Sequence, residues 1–185
     1  MSGRMIVAAI LVAACGLQVN AQSKQEAASP AMKRPGPGPE RLRLSYLVGE
    51  FSTSTRIMTG RPGAKDLPGT GTSSIRWGLD SMFLFIDDES VNPMMGHYKG
   101  FGVLGVDPAG SQYTLSMYNN FGDRPEYRGA FSGDTLVMSG TVPYPGGAFD
   151  QKISWFSEGN TVHLKVFNNM GKGFVQVIDQ IARPR

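Results

Sequence analysis

Cysteine is almost missing from this chain: a single residue, Cys15, in 185. One thiol cannot make an internal disulfide, so the fold has to be held by burial, and the chain is long enough to bury a core of its own. Histidine is nearly as scarce, with only His97 and His163, which leaves no Cys/His spacing for a structural zinc. Charged residues make up 18% of the sequence and the net charge is +3. No basic cluster lies on the domain, which argues against a nucleic-acid partner. Phosphate-binding loops and the Gly-x-Ser-x-Gly elbow are also absent, and Ser154 and Ser157 stand in no nucleophile pattern. These absences lower the expectation of an enzyme and call for no cofactor.

Long apolar runs are lacking as well, with one exception. Arg4 leads into the run Ile6 to Leu17, which ends at the small-residue pattern Val19-Asn20-Ala21. That is the pattern of a secretory signal peptide over residues 1–21, too short to span a bilayer as a permanent helix. The expectation is an exported bacterial protein, periplasmic or secreted. Val12-Ala13-Ala14-Cys15 also fits a lipoprotein signal. On that alternative Cys15 is acylated and the lipid chains tether the domain to a membrane, the one membrane partnership the sequence offers.

Residues 22–39 are rich in Ala, Ser, Pro and Gly and end in Pro35-Gly36-Pro37-Gly38-Pro39, a linker composition. The domain spans 40–185. Arg41 to Leu47 reads as a short helix opened by Pro39, with Leu44 and Leu47 facing inward. Beyond Gly49 the pattern is that of strands. Turn signals such as Asn92-Pro93, Gly133-Asp134, Pro145-Gly146-Gly147 and Gly159-Asn160 separate runs rich in Val, Ile, Thr, Tyr and Phe. Alternation is plain in several runs: Leu136, Met138 and Val142 share a face; Val162, Leu164 and Val166 oppose Thr161, His163 and Lys165; Val175, Val177 and Ile181 oppose Gln176 and Gln180. The expected fold is all-β: a single antiparallel up-and-down barrel of about ten strands with a short N-terminal helix.

Leu47-Val48-Gly49-Glu50-Phe51, Gly69-Thr70-Gly71 through Trp77-Gly78-Leu79-Asp80, and Gly100-Phe101-Gly102 through Val106-Asp107 form a recurring set of motifs. They resemble a bacterial family known only as a domain of unknown function, related in shape to the calycins (lipocalins, fatty-acid-binding proteins and nitrobindin-like haem barrels). The resemblance covers about residues 40–183. It implies a barrel able to hold one small ligand, and it assigns no activity. Calycins carry Gly-x-Trp on the first strand beneath a late basic residue; here Phe51 stands in the Trp position with Arg183 as its candidate partner, a structural pair. In nitrobindin-like barrels a late-strand histidine ligates haem iron. His163 shares the polar face of its strand, so it is expected to point to solvent.

The expected role is binding of a small apolar or amphipathic molecule within the barrel. Trp77, Tyr113, Met117, Met138 and Trp155 are the candidate lining residues, with His97 near the mouth. Methionine, at 10 of 185 residues, suits a cavity that takes variable apolar shapes, and it also fills ordinary cores. Met94-Met95-Gly96-His97 places soft ligands together, but adjacent Met residues on an extended chain point opposite ways, which favours an ordinary loop. Asp87-Asp88-Glu89 reads as a solvated strand end in which only Asp87 and Glu89 share a face. The alternatives are an envelope interaction protein with a packed barrel, or a haem or metal binder or an enzyme.

Overall fold

The computed structural model describes residues 38–60, 63–107 and 112–185. The stretch expected to be a signal peptide, Cys15 and all but the end of the expected linker lie outside the described residues. The described chain opens with one helical turn, α1 (Pro39–Leu42), which runs directly into a 3-10 turn, Arg43–Leu47. Pro39 occupies the first helical position, where its missing N–H is no loss. Residues three apart eclipse in a 3-10 turn, so Leu44 and Leu47 enter the same core, and both are fully buried.

The strands are β1 (Gly49–Ile57), β2 (Leu67–Gly78), β3 (Phe83–Asn92), β4 (Gly96–Val106), β5 (Tyr113–Asn119), β6 (Glu126–Ser132), β7 (Thr135–Tyr144), β8 (Gly147–Glu158), β9 (Thr161–Asn169) and β10 (Phe174–Pro184). Each pairs antiparallel with its sequence neighbours, and β1 pairs with β10 to close the barrel. Closure leaves no strand edge open for pairing with another chain. The up-and-down topology expected from the hairpin spacing is the one observed.

Cross-strand register stacks the inner face in layers. Leu84 lies opposite Leu104, which lies opposite Leu115. Leu136 lies opposite Trp155, which lies opposite Leu164. Leu84, Leu104, Leu115, Leu136 and Met138 are buried to 1% exposure or less. The helical turns cover this end of the barrel. Tyr46 donates to the Trp155 carbonyl (3.1 Å), Tyr113 donates to the Glu40 carbonyl (2.8 Å), and Arg43 donates to the Gly133 carbonyl (2.7 Å). Burial pushes the Tyr46 phenol well above its ordinary pKa, so it stays a neutral donor.

Two glycines shape the wall of β4. A Cβ at Gly102 would lie 2.6 Å from Met117 Sδ, and one at Gly100 would lie 2.5 Å from Tyr98 Oη. Their bare backbones let the thioether and the phenol lean across the strand.

Two expectations need correction. On β10 the inward residues are Ile178, Gln180 and Ala182, set opposite Val166, Leu164 and Val162, while Val175 is exposed. A bulge between Gln176 and Ile178 breaks the alternation of Val175, Val177 and Ile181: Val177 still packs half-buried against the core, whereas Ile181 falls opposite His163 on the outer face. Phe51 and Arg183 do not pair. Phe51 points into the core at 3% exposure, whereas Arg183 sits opposite Ser52 on the outer face. The cation over a ring at this end is Arg43, 3.8 Å above the Phe131 ring centre.

Candidate functional site

Halfway along the strands the inner face changes character. On β3 the inward series runs Leu84, Ile86, Asp88, Ser90, Asn92: two buried apolar residues, then three polar ones. β1 contributes Thr55, β8 Gln151 and β10 Gln180 to the same lining. Together with Leu115, Met117, Ile153, Trp155, Leu164 and Val166, these residues enclose a cavity of about 270 Å³. It reaches the turns at the end opposite the helix, where Met95, Asp123 and Pro125 complete its rim. The floor is therefore apolar and the upper wall polar, a division typical of small-molecule sites.

The polar groups are organised. Tyr127 donates to Gln151 Oε1 (2.5 Å), and Gln151 Nε2 donates to Asn168 Oδ1 (2.8 Å). Asn119 Nδ2 donates to Asp123 Oδ2 (3.0 Å), and Asn119 Oδ1 accepts from the backbone N–H groups of Phe121 and Asp123. Asn92 Oδ1 accepts from the N–H groups of Met94 and Met95, which fixes the β3–β4 turn at the rim.

Asp88 is the group that sequence reasoning missed. Its neighbours Asp87 and Glu89 do lie on the outer face. Asp87 pairs with Arg76 (2.8 Å), and Glu89 meets His97 (2.6 Å) and Lys99 (3.6 Å). The hydrogen bond from His97, then the Lys99 charge, hold the Glu89 carboxyl below its ordinary range. Asp88 turns the other way, into the cavity, opposite Ser73. Burial pushes its carboxyl up to about 6, against the stabilising hydrogen bond from Ser73. The Tyr98 phenol is pushed up to about 12 by burial, with the Asp88 and Asp123 charges adding to the effect. Tyr127 is raised by burial and by Tyr98 and Asp123. The signal that could have found Asp88 is its parity with Leu84 and Ile86.

The residues expected to line a pocket separate by height. Met117 and Trp155 line the cavity. Tyr113 and Met138 belong to the packed core, at 6% and 0% exposure, and Trp77 packs against the same core half-buried. His97 stands on the outer face, bound to Glu89. In the Met94-Met95-Gly96-His97 loop, Met95 reaches the cavity and Met94 is exposed, so the soft ligands are not gathered. His163 is outward, as its parity indicates, yet it is covered: it stacks on Phe156 at 4.9 Å and retains 14% side-chain exposure. Among the described residues, no group of three or more His, Cys, Asp or Glu side chains is placed to hold a metal ion.

A second concavity, about 490 Å³, lies on the outer face and is lined by Glu50, Asp87, Glu89, Lys99, Phe101 and Tyr118 among others. It is larger but open to solvent, and the carboxylates of Glu50, Asp87 and Glu89 are already engaged by Ser74, Arg76 and His97. The barrel interior is the better-formed site.

Comparison with known proteins agrees with this architecture. The family described as "Protein of unknown function (DUF1579)" matches residues 36–178. The crystal structure of Rv2717c from M. tuberculosis aligns over 80% of this chain and 98% of that one, with a TM-score of 0.59 and 13% sequence identity. At that identity the likeness concerns the fold alone. No curated protein matches the chain.

Proposed function

This chain belongs to the DUF1579 family of unknown function, and from that premise we propose that its barrel binds a small amphipathic molecule. The observation that carries the reading is the cavity itself: an apolar floor of Leu115, Met117, Ile153, Trp155 and Leu164 beneath a polar wall. Its volume of about 270 Å³ corresponds to about nine non-hydrogen atoms at about 30 Å³ for each water-sized group. The apolar part of such a ligand supplies the affinity, at about 0.8 kcal/mol for each buried methylene. The wall supplies the orientation. An open-ended barrel with a plugged base is also the plan of the calycins, and kinship with them is part of this proposal.

The proposal extends to location. The leader pattern at residues 1–21 supports export, with the mature chain beginning at Gln22 or at an acylated Cys15. The intact mass of the protein isolated from its own cell envelope distinguishes the two. A chain that retains Met1 in the cytoplasm overturns export.

Native mass spectrometry on the same preparation tests binding. A small co-purifying mass is expected, released on denaturation and lost in a folded Met117→Trp variant whose indole fills the cavity. A bare polypeptide mass that takes up nothing from an envelope lipid extract overturns the reading.

A further inference from the structure

The charge pattern of the cavity is one-sided. Its lining holds two carboxylates, Asp88 and Asp123, and two phenols, Tyr98 and Tyr127, but no Lys, Arg or His. The cations on the adjacent strands are committed to the outer face: Arg76 to Asp87, Lys99 to Glu89, Arg56 to Asp179. Asp88 accepts from Ser73 on β2 and feels the Asp87 charge beside it on its own strand, and the Tyr98 phenol on β4 feels both Asp88 and Asp123, so none of the charged groups acting on Asp88 is a cation. An anion inside a protein without a counter-ion is costly, and the cost is relieved when a cation enters. An apolar surface lies directly beneath.

We infer that the cavity selects amphipathic cations, the ammonium group of a primary or substituted amine seated against Asp88 and its apolar chain laid on Met117, Ile153 and Trp155. The inference rests on the binding role proposed above and adds the sign of the ligand's charge. The ammonium donates to the Asp88 carboxylate, beside the Tyr98 phenol and beneath the Asp123 carboxylate at the rim. Anionic amphiphiles such as fatty acids meet two carboxylates and no donor of matching charge. Since burial holds the empty-cavity Asp88 carboxyl up to about 6, ligand binding is coupled to its ionisation. An aliphatic ammonium keeps its charge well above neutral pH. Its affinity therefore rises as pH climbs through the Asp88 range and levels off above it.

The test compares three probes with one chain length, octylammonium, octanol and octanoate, by isothermal titration with the full mature protein. At about pH 7.5 octylammonium should bind about tenfold more tightly than octanol, with octanoate weakest. Lowering the pH to about 5 should weaken octylammonium about tenfold and leave octanol unchanged, since about nine-tenths of the carboxyl is then protonated. Asp88→Asn should bring octylammonium to the level of octanol without weakening octanol. If that variant fails to fold, the headgroup order and pH response of the unmodified protein decide the matter. Equal binding of octylammonium and octanol, or preference for octanoate, overturns the charge selection while leaving an amphiphile-binding cavity intact. Failure of all three probes to bind, with no co-purifying mass, overturns both readings.

Discussion

The plugged half of the barrel and the open half are made by the same ten strands, yet they solve opposite problems. Below, leucines from β3, β4, β5 and β7 interlock with Leu44 and Leu47 and admit nothing else. Above, β3, β4, β5, β8 and β10 present Asp88, Tyr98, Asn119, Gln151 and Gln180 around empty space. Closed packing in the lower half supplies the burial that a disulfide-free chain depends on. That surplus permits the upper half to keep polar groups and an uncompensated carboxyl inside a protein, which would be unfavourable in a domain that relied on every layer equally. Stability and the proposed recognition are thus divided by height along the strand rather than by domain or loop.

The comparison can be broken at its lower end. Leu104→Ala removes a fully buried side chain and should destabilise the fold by about 2–5 kcal/mol, read as a drop in denaturant midpoint. An equally large loss from Met117→Ala in the cavity would erase the distinction between the halves. The next effect belongs to Asp88. Between 3.8 and about 6 the unfolded carboxyl releases its proton while the folded one keeps it. Stability should therefore fall as pH rises through that window, by about 2–3 kcal/mol in all, and stay at the lower level above it. Asp88→Asn should abolish this slope and leave the protein more stable at neutral pH, checked by chemical denaturation across the window. Tyr46→Phe, which leaves the Trp155 carbonyl without its 3.1 Å donor, should cost about 1 kcal/mol and loosen the plug without changing ligand affinity. Smallest of all is His97→Ala: the ring is exposed beside Glu89, and both melting temperature and ligand binding should be unchanged within error. A loss of binding there would move the site to the outer groove.

The fold was legible because its signals are local. Alternation along β7 and β9, turn residues at each hairpin, and Pro39 before Leu44 and Leu47 each report on a few neighbouring residues, and sheet closure follows from their number and order. The site was legible only in part, because height along a strand is not a local property. Tyr113 and Met117 share an inward face four residues apart; pairing with Val106 puts one in the core, and pairing with Gly102 puts the other in the cavity. Aromatic and methionine content cannot tell these apart without register. Asp88 was hidden by its flanking acids, since a run of three carboxylates reads as solvated even when its middle member has the parity of Leu84 and Ile86. Gln180 was hidden by a bulge, which shifts every later residue to the other face and leaves no mark in composition.

Every strand pairing but one joins neighbours in sequence; the exception is β1 with β10, where the Arg185 N–H also reaches the Glu50 carbonyl at 3.0 Å. A chain built this way can zip hairpin by hairpin over short loops, and only the final clasp has to find a partner from the far end of the domain. The entropy of closing so long a loop grows only with the logarithm of its length, so the clasp is a late event more than an expensive one. Until it forms, β1 and β10 are two bare edges. The time the newly made protein spends open to mispairing with its neighbours is set by that single seam.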